Sequence, residues 1–271
     1  MERWLSGRRR TIGNRVNVNS VPWVQIPFSP LKALGGLHSA FLLFWLRTAR
    51  GLKADLEYWR QFYEDEEDCP PARYDGWLDN WLEALGVCGT VVDLGCGYGV
   101  DSVFLAGKGI VPVACDLSER ALQALRRRAP QVPVHAFDMA QGLPFDSGAL
   151  GAVIADLSLH YFDWQTTCCI AKEILRVLRP GGLVLCRVNA LEEYRPCQGD
   201  IQLEANFYRT QNGGDKRFFS GEDVRRMLEG FRLEELELRT TEKYGALKRC
   251  WMAAARKENG AGRMAPERMP R

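Results

Sequence analysis

Three glycines alternate just after an acid in Asp93-Leu94-Gly95-Cys96-Gly97-Tyr98-Gly99. The acid closes a β-branched run, Thr90-Val91-Val92, that reads as a buried strand. Open α/β sheets bind ligands in the crevice outside the carboxyl ends of their strands. Glycines at that place let a bulky ligand lie directly on the backbone. The spacing is Gly-x-Gly-x-Gly, not the Gly-x-Gly-x-x-Gly of a dinucleotide site. A pyrophosphate wants free amides at a helix N-terminus; Asp93 ahead of the glycines instead suits a ligand with a cationic end.

Two more predicted strands end in acids. Asp116 follows Val113-Ala114-Cys115, with Leu117 beside it. A carboxylate at that depth accepts hydrogen bonds from both hydroxyls of a ribose. Phe137-Asp138-Met139 ends the third strand; the acid suits an adenine amine and Met139 suits the ring face. The alternative for these acids is an ordinary helix N-cap. The glycine loop coinciding with them favours a nucleoside joined to a cation.

These residues need a scaffold, and the chain supplies one by alternation. Strands are expected over Thr90–Leu94, Ile110–Cys115, Val132–Phe137, Leu150–Ala155, Leu183–Val188, Phe231–Leu238 and Lys248–Ala255. Helices are expected over Val100–Lys108, from the Ser118 cap to Arg128, over Asp163–Leu178, and from the Ser220 cap onward. Strand alternating with helix predicts an α/β fold with a mostly parallel sheet and helices on both faces.

The series DLGCGYG, ACDLS, FDM-x-x-GLPF, ADLSLHYF and EILRVLRPGG resembles the motif series of class I S-adenosylmethionine-dependent methyltransferases. The resemblance covers about residues 75–255. It implies a Rossmann-like, seven-stranded sheet with one antiparallel strand near the edge. It also implies S-adenosylmethionine as cofactor, held by Asp93, Gly95, Cys96, Gly97, Asp116, Leu117, Asp138, Met139 and Asp156. Within the family, LSLHYF, then RVN, then KRFF is most similar to small bacterial methyltransferases of the tellurite-resistance type. Fold and cofactor transfer with such a likeness; the methyl acceptor does not.

Methyl transfer rests on alignment in a site that excludes water. His160 and Tyr161, after the fourth strand, are placed to pass the reacting methyl group. His160 reads either as a base or as a hydrogen-bonded structural histidine. Arg187 reads either as the holder of an anionic acceptor or as the partner of a nearby acid such as Glu204. These three are the candidate catalytic residues. The insertion Ala190 to Phe219 has no strong periodicity and is long for a connection, so it reads as a binding lid. Tyr208, Lys216, Arg217 and Phe218 are its candidate contacts. The fourth-strand motif is Asp-Leu-Ser-Leu, not the Pro-Pro-Tyr type of amino-group methylation, and no Pro-Cys is present for attack on a pyrimidine.

Charge is distributed unevenly along the chain. Residues 1–50 hold eight Lys/Arg against one acid, and residues 256–271 hold five against two. The intervening body carries 23 basic residues against 31 acidic ones, which disfavours a nucleic-acid acceptor. A small-molecule acceptor is the expected partner; a protein or RNA acceptor, or a non-catalytic cofactor-binding protein, are the alternatives. None of the nine cysteines forms a Cys-x-x-Cys pair, so no metal site is expected and the thiols read as reduced and cytoplasmic. The apolar run Ala40–Leu46 is too short for a membrane span. Three segments are expected: a basic irregular extension over 1–50, a methyltransferase domain over 51–255, and a disordered tail over 256–271. Back-translation of Ile12-Gly13-Asn14 and Val24-Gln25-Ile26-Pro27 reads as the anticodon loop and T-arm of a bacterial serine-tRNA gene. That places the natural start near Leu52; the alternative is a genuine basic arm.

Overall fold

The computed structural model describes residues 73–211, 214–243 and 246–259. The expectations for residues 1–50, for a start near Leu52 and for the tail beyond Asn259 lie outside the described residues.

The sheet is built around β1 (Val91–Leu94), whose four residues are all buried. It pairs in parallel with β2 (Val113–Asp116) on one side and β4 (Leu150–Asp156) on the other. β3 (Val134–Ala136) flanks β2, and β5 (Leu178–Asn189) flanks β4. β10 (Ala246–Lys257) then runs antiparallel between β5 and β9 (Phe231–Lys243). The order is β3-β2-β1-β4-β5-β10-β9, so one strand of seven is reversed, as expected. The chain turns to one side after β1 and crosses to the other at β4. That reversal opens a crevice at the carboxyl ends of β1 and β4.

Alternation along the strands feeds two cores. Val92, Leu94, Val153, Val184 and Cys186 face α4 (Trp164–Val177), which offers Ile170, Ile174 and Val177. Val91, Ala152, Ile154 and Leu185 face the opposite side, with Trp77 and Leu78 from the segment before α1 (Leu82–Val87), Leu85 of α1 and Leu105 of α2 (Val100–Gly107). Each strand thus buries both faces, the condition for a parallel sheet in this class. Three helices start where the sequence places a cap. The Ser118 hydroxyl accepts from the Ala121 amide at the head of α3 (Glu119–Arg128), and Asp163 accepts from Thr166 at the head of α4. Ser220 and Asp223 form a reciprocal capping box on α5 (Gly221–Met227).

Some boundaries differ from expectation for physical reasons. β2 begins after Pro112 and β3 after Pro133, because proline has no amide to give a ladder. Arg179–Gly182 bulges out of the β4–β5 ladder, whose register jumps from Leu150↔Leu178 to Ala152↔Leu183. β9 and β10 pair with each other well beyond the stretch that β5 covers. Their outer part, Arg239-Thr240-Thr241-Glu242, lacks apolar alternation, which hid it in the sequence. β10 also continues through Arg256 and Lys257, two residues into the segment expected as tail.

The insertion is not an irregular lid. It holds a separate three-stranded antiparallel sheet, β6 (Ile201–Glu204), β7 (Phe207–Arg209) and β8 (Asp215–Arg217). Strands of three or four residues are too short to show a period. The insertion closes at its base, where the Phe219 amide donates to Asn189 and the Leu191 amide donates to Phe219.

Gly151 tests how tightly β4 is packed. A Cβ there would stand 1.7 Å from the Cys88 carbonyl oxygen, and backbone cannot step aside as a side chain can. Gly151→Ala is expected to cost at least about 2–3 kcal/mol, read as a lowered denaturant midpoint with unchanged slope.

Candidate active site

The glycine loop is locked to β2. The amides of Gly95 and Cys96 both donate to the Cys115 carbonyl, at 2.8 and 2.9 Å. The Gly97 amide donates to Asp116 Oδ2 at 2.8 Å, and the Ser118 amide to Asp116 Oδ1 at 2.9 Å. Asp116 therefore holds the loop it was expected to share a ligand with. Burial raises its pKa above the ordinary carboxylate value, and the amides of Ser118, Gly97 and Leu117 pull it back. An ionised carboxylate has about four acceptor positions, so these amides leave room for a ribose hydroxyl.

Gly95 has φ +74°, and a Cβ on it would lie 2.4 Å from Ser158 Cβ and 3.1 Å from Met139 Cε. Met139 thus lies across the loop, where an adenine ring was expected to pack. Asp138 accepts from the Ala140 amide at 2.9 Å, so it is the N-cap of a 3₁₀ turn as well as a strand-end acid. Asp93 is buried and accepts from Ser102 Oγ at 2.6 Å. The Cys96 thiol is pushed well up by burial and so is no nucleophile. Gly95 to Tyr98 stay half-buried between a buried strand and the buried Gly99. An accessible glycine backbone, a strand-end carboxylate beside it and a thioether over it fit S-adenosylmethionine.

At the end of β4 the arrangement departs from expectation. Arg187 is buried and grips Asp156 through two bonds, Nε to Oδ1 at 2.6 Å and Nη2 to Oδ2 at 2.9 Å. Its Nη1 reaches Asp75 at 2.6 Å, and the guanidinium lies over the Trp77 ring at 4.6 Å. Burial alone would lower its pKa, but the two carboxylates raise it overall. Arg187 pairs with an acid, yet not with Glu204, which pairs with Arg217 instead. Asp156 in turn commits both oxygens to this pair. The next residue, Leu157, has φ +52°, a strained value for a residue with a branched side chain. Ser158 Oγ then donates to the Leu94 carbonyl at 2.7 Å, tying this turn to β1.

His160 is fully buried, and neither ring nitrogen has a hydrogen-bond partner. Its ring sits 4.2 Å from that of Tyr161. Burial holds its pKa well below 6.5, helped by the charges of Lys248 and Lys216 and opposed by Asp156. Beyond it, a cleft of about 320 Å³ opens next to the end of β5, lined by Asn189, Tyr194, Lys216, Phe218 and Lys248 among others. The cleft begins two residues past Arg187, on the ligand side of the sheet. Of the expected lid contacts, Lys216 and Phe218 line it; Arg217 turns to Glu204, and Tyr208 stacks behind Tyr194 at 4.1 Å.

Residues 91–182 match the family model of a methyltransferase domain. That stretch is similar to methyltransferase domains, and the sheet has the fold of class I S-adenosylmethionine-dependent methyltransferases. It is 30% identical over 180 residues to a tRNA (carboxymethyluridine(34)-5-O)-methyltransferase of Macaca fascicularis, covering 65% of this chain and 26% of that protein. The fold matches the 1,6-didemethyltoxoflavin-N1-methyltransferase of Burkholderia thailandensis, solved with 1,6-didemethyltoxoflavin and S-adenosylhomocysteine. That match has a TM-score of 0.56 at 17% identity and covers 83% of this chain and 93% of the other. TehB of Haemophilus influenzae matches with a TM-score of 0.51 at 14% identity, over 66% and 62% of the two chains. The chain spans between a quarter and a half of the length of the first curated relatives it matches.

Sequence reasoning missed several residues of this site. Ser102 and Ser158 were passed over because a serine inside a motif carries no pattern of its own. Asp75 and Trp77 lie more than a hundred residues from Arg187 in sequence. Among the described residues no cluster of three metal-ligating side chains occurs, and no helix is long and apolar enough to cross a membrane.

Two outcomes are expected here. Asp116→Ala should weaken S-adenosylmethionine binding by about 1.5–3 kcal/mol, tenfold or more, in calorimetry; unchanged affinity removes Asp116 from the site. His160 should make stability fall with acid. Its folded pKa lies below its unfolded one, so the unfolded chain binds the extra proton and stability drops as pH falls below about 6.5. Urea denaturation at about pH 7 and pH 5 should show this loss in the native protein and a smaller one in His160→Phe.

Proposed function

We propose that the protein transfers the methyl group of S-adenosylmethionine to a small molecule seated in the cleft beside β5. The observation that carries this is the cleft itself, whose volume suits a small ligand. When bound, S-adenosylmethionine supplies an electrophilic methyl group on a cationic sulfonium. The chain's own work is placement. The Gly95–Gly97 backbone and Asp116 hold the nucleoside end, and Met139 covers it. Leu157, Ser158 and His160, all buried, keep the turn after β4 dry. In this reading His160 is a neutral packing element; a base must reach the proton it removes, and neither nitrogen of this buried ring makes a hydrogen bond. Tyr161 buttresses His160, and Arg187 holds the strand ends in register; neither is assigned a reacting atom. The affinity with tellurite-resistance-type enzymes read from LSLHYF, RVN and KRFF belongs to this proposal, with the soft nucleophile it implies as one acceptor class.

One observation favours a second reading. The similarity to a tRNA methyltransferase runs over 65% of the chain. The acidic body opposes it, since RNA backbones are drawn to basic surfaces. Incubating the protein with methyl-labelled cofactor separates the two when a metabolite extract, total tRNA and total protein are supplied in parallel. Label is expected in the small-molecule fraction. Label confined to tRNA or protein would replace this reading with the second.

A further inference from the structure

The polar end of the cleft is chemically incomplete. Asn189 closes β5 and lines the cleft, and its Oδ1 is buried with no hydrogen-bond partner. Unmet buried polar atoms cost about 1–3 kcal/mol each, so most proteins avoid them. Lys216 on β8 lines the same space. Among the described residues its ammonium has no carboxylate within ion-pair reach, and burial pulls its pKa down. Its neighbours differ: Arg217 pairs with Glu204, and Arg209 grips Asp215 through two bonds at 2.8 Å.

The acids on the cleft do not answer Lys216. Asp200 accepts from the amides of Cys197 and Gln211, and Glu193 accepts from the amide of Arg249. The facing wall is aromatic. Tyr194 and Phe218 have ring centroids 5.0 Å apart, and Tyr208 stacks behind Tyr194. The space therefore offers an aromatic wall, the ammoniums of Lys216 and Lys248, and one acceptor oxygen without a partner.

We infer that the acceptor is a small aromatic carboxylate carrying a hydrogen-bond donor. Its ring lies against Tyr194 and Phe218, its carboxylate meets Lys216, and its donor meets Asn189 Oδ1. This rests on the reading of the cleft as the acceptor site. An aromatic ring matches the wall by stacking. A carboxylate matches the ammonium by a charge-assisted bond, stronger than a neutral one. A neutral acceptor would leave Lys216 buried beside the like charge of Lys248 with no carboxylate to offset it.

The test is binding, read without turnover. The native protein, saturated with S-adenosylhomocysteine, is titrated with 4-hydroxybenzoate and with its neutral counterpart 4-hydroxybenzamide. The carboxylate should bind at least about tenfold more tightly. Lys216→Met should abolish that difference, and Lys216→Arg should keep most of it. Equal binding of the two probes by the native protein overturns the inference, and so does a folded Lys216→Met variant that still prefers the carboxylate. The native comparison decides even if a variant fails to fold. Label appearing on tRNA would overturn the acceptor-site reading while leaving the carboxylate preference measured on its own. A neutral labelled product with no carboxylate preference would overturn this inference alone.

Discussion

The buried guanidinium of Arg187 fixes the rim on which the site stands. Burying a charge is expensive unless it is paired and hydrogen-bonded. Arg187 meets that condition with Asp156 at the end of β4 and Asp75 on the segment before α1. Thr241 on β9 also donates to Asp75, at 2.6 Å. One cation thus joins the ends of two parallel strands, an N-terminal segment and the far edge of the sheet. The Leu157 amide donates to the Arg187 carbonyl at 3.0 Å, so the strained turn after β4 hangs from the same residue. That turn sets Ser158 onto β1 and against Gly95, where no Cβ would fit.

This dependence explains which parts of the site were legible in the sequence. The cofactor side is made of strand ends and backbone. Its signals are local: an acid closing an apolar run, glycines in the next turn, a capping serine two residues past Asp116. Those patterns survive reading one residue at a time, and the structure places Asp93, Asp116 and Asp156 at the carboxyl ends of β1, β2 and β4, with Asp138 two residues past β3. The partner of Arg187 was less legible. Asp156 and Arg187 are 31 residues apart; Asp156 ends β4, Arg187 lies two residues before the end of β5, and the parallel register sets them side by side. The two strands end two residues out of step, so counting back equally from their ends does not find the pair. Nothing local points to Asp75.

The acceptor side was hidden for a different reason. It is carried by side chains on an insertion whose strands are three or four residues long. A period of two cannot declare itself over so short a run. The stability of that small sheet comes from ion pairs and aromatic stacking, which leave no apolar stripe in the sequence. Likeness at the level of fold accordingly carries the cofactor and stops short of the acceptor.

Two cations on the same rim show why the site has an inside. Arg187 is buried more deeply than Lys216, yet its proton is held more tightly than usual, because carboxylates offset the loss of water. Lys216 has the desolvation without the carboxylate, and its proton is held less tightly. The first arrangement is what a fold needs to be stable on its own. The second costs stability unless an outside group completes it, the general mark of a surface shaped to receive something. Arg187 lies two residues before the end of β5, and Lys216 shares a cleft with Asn189 at that end, so the rim that supports the cofactor crevice also supports the unfinished cleft.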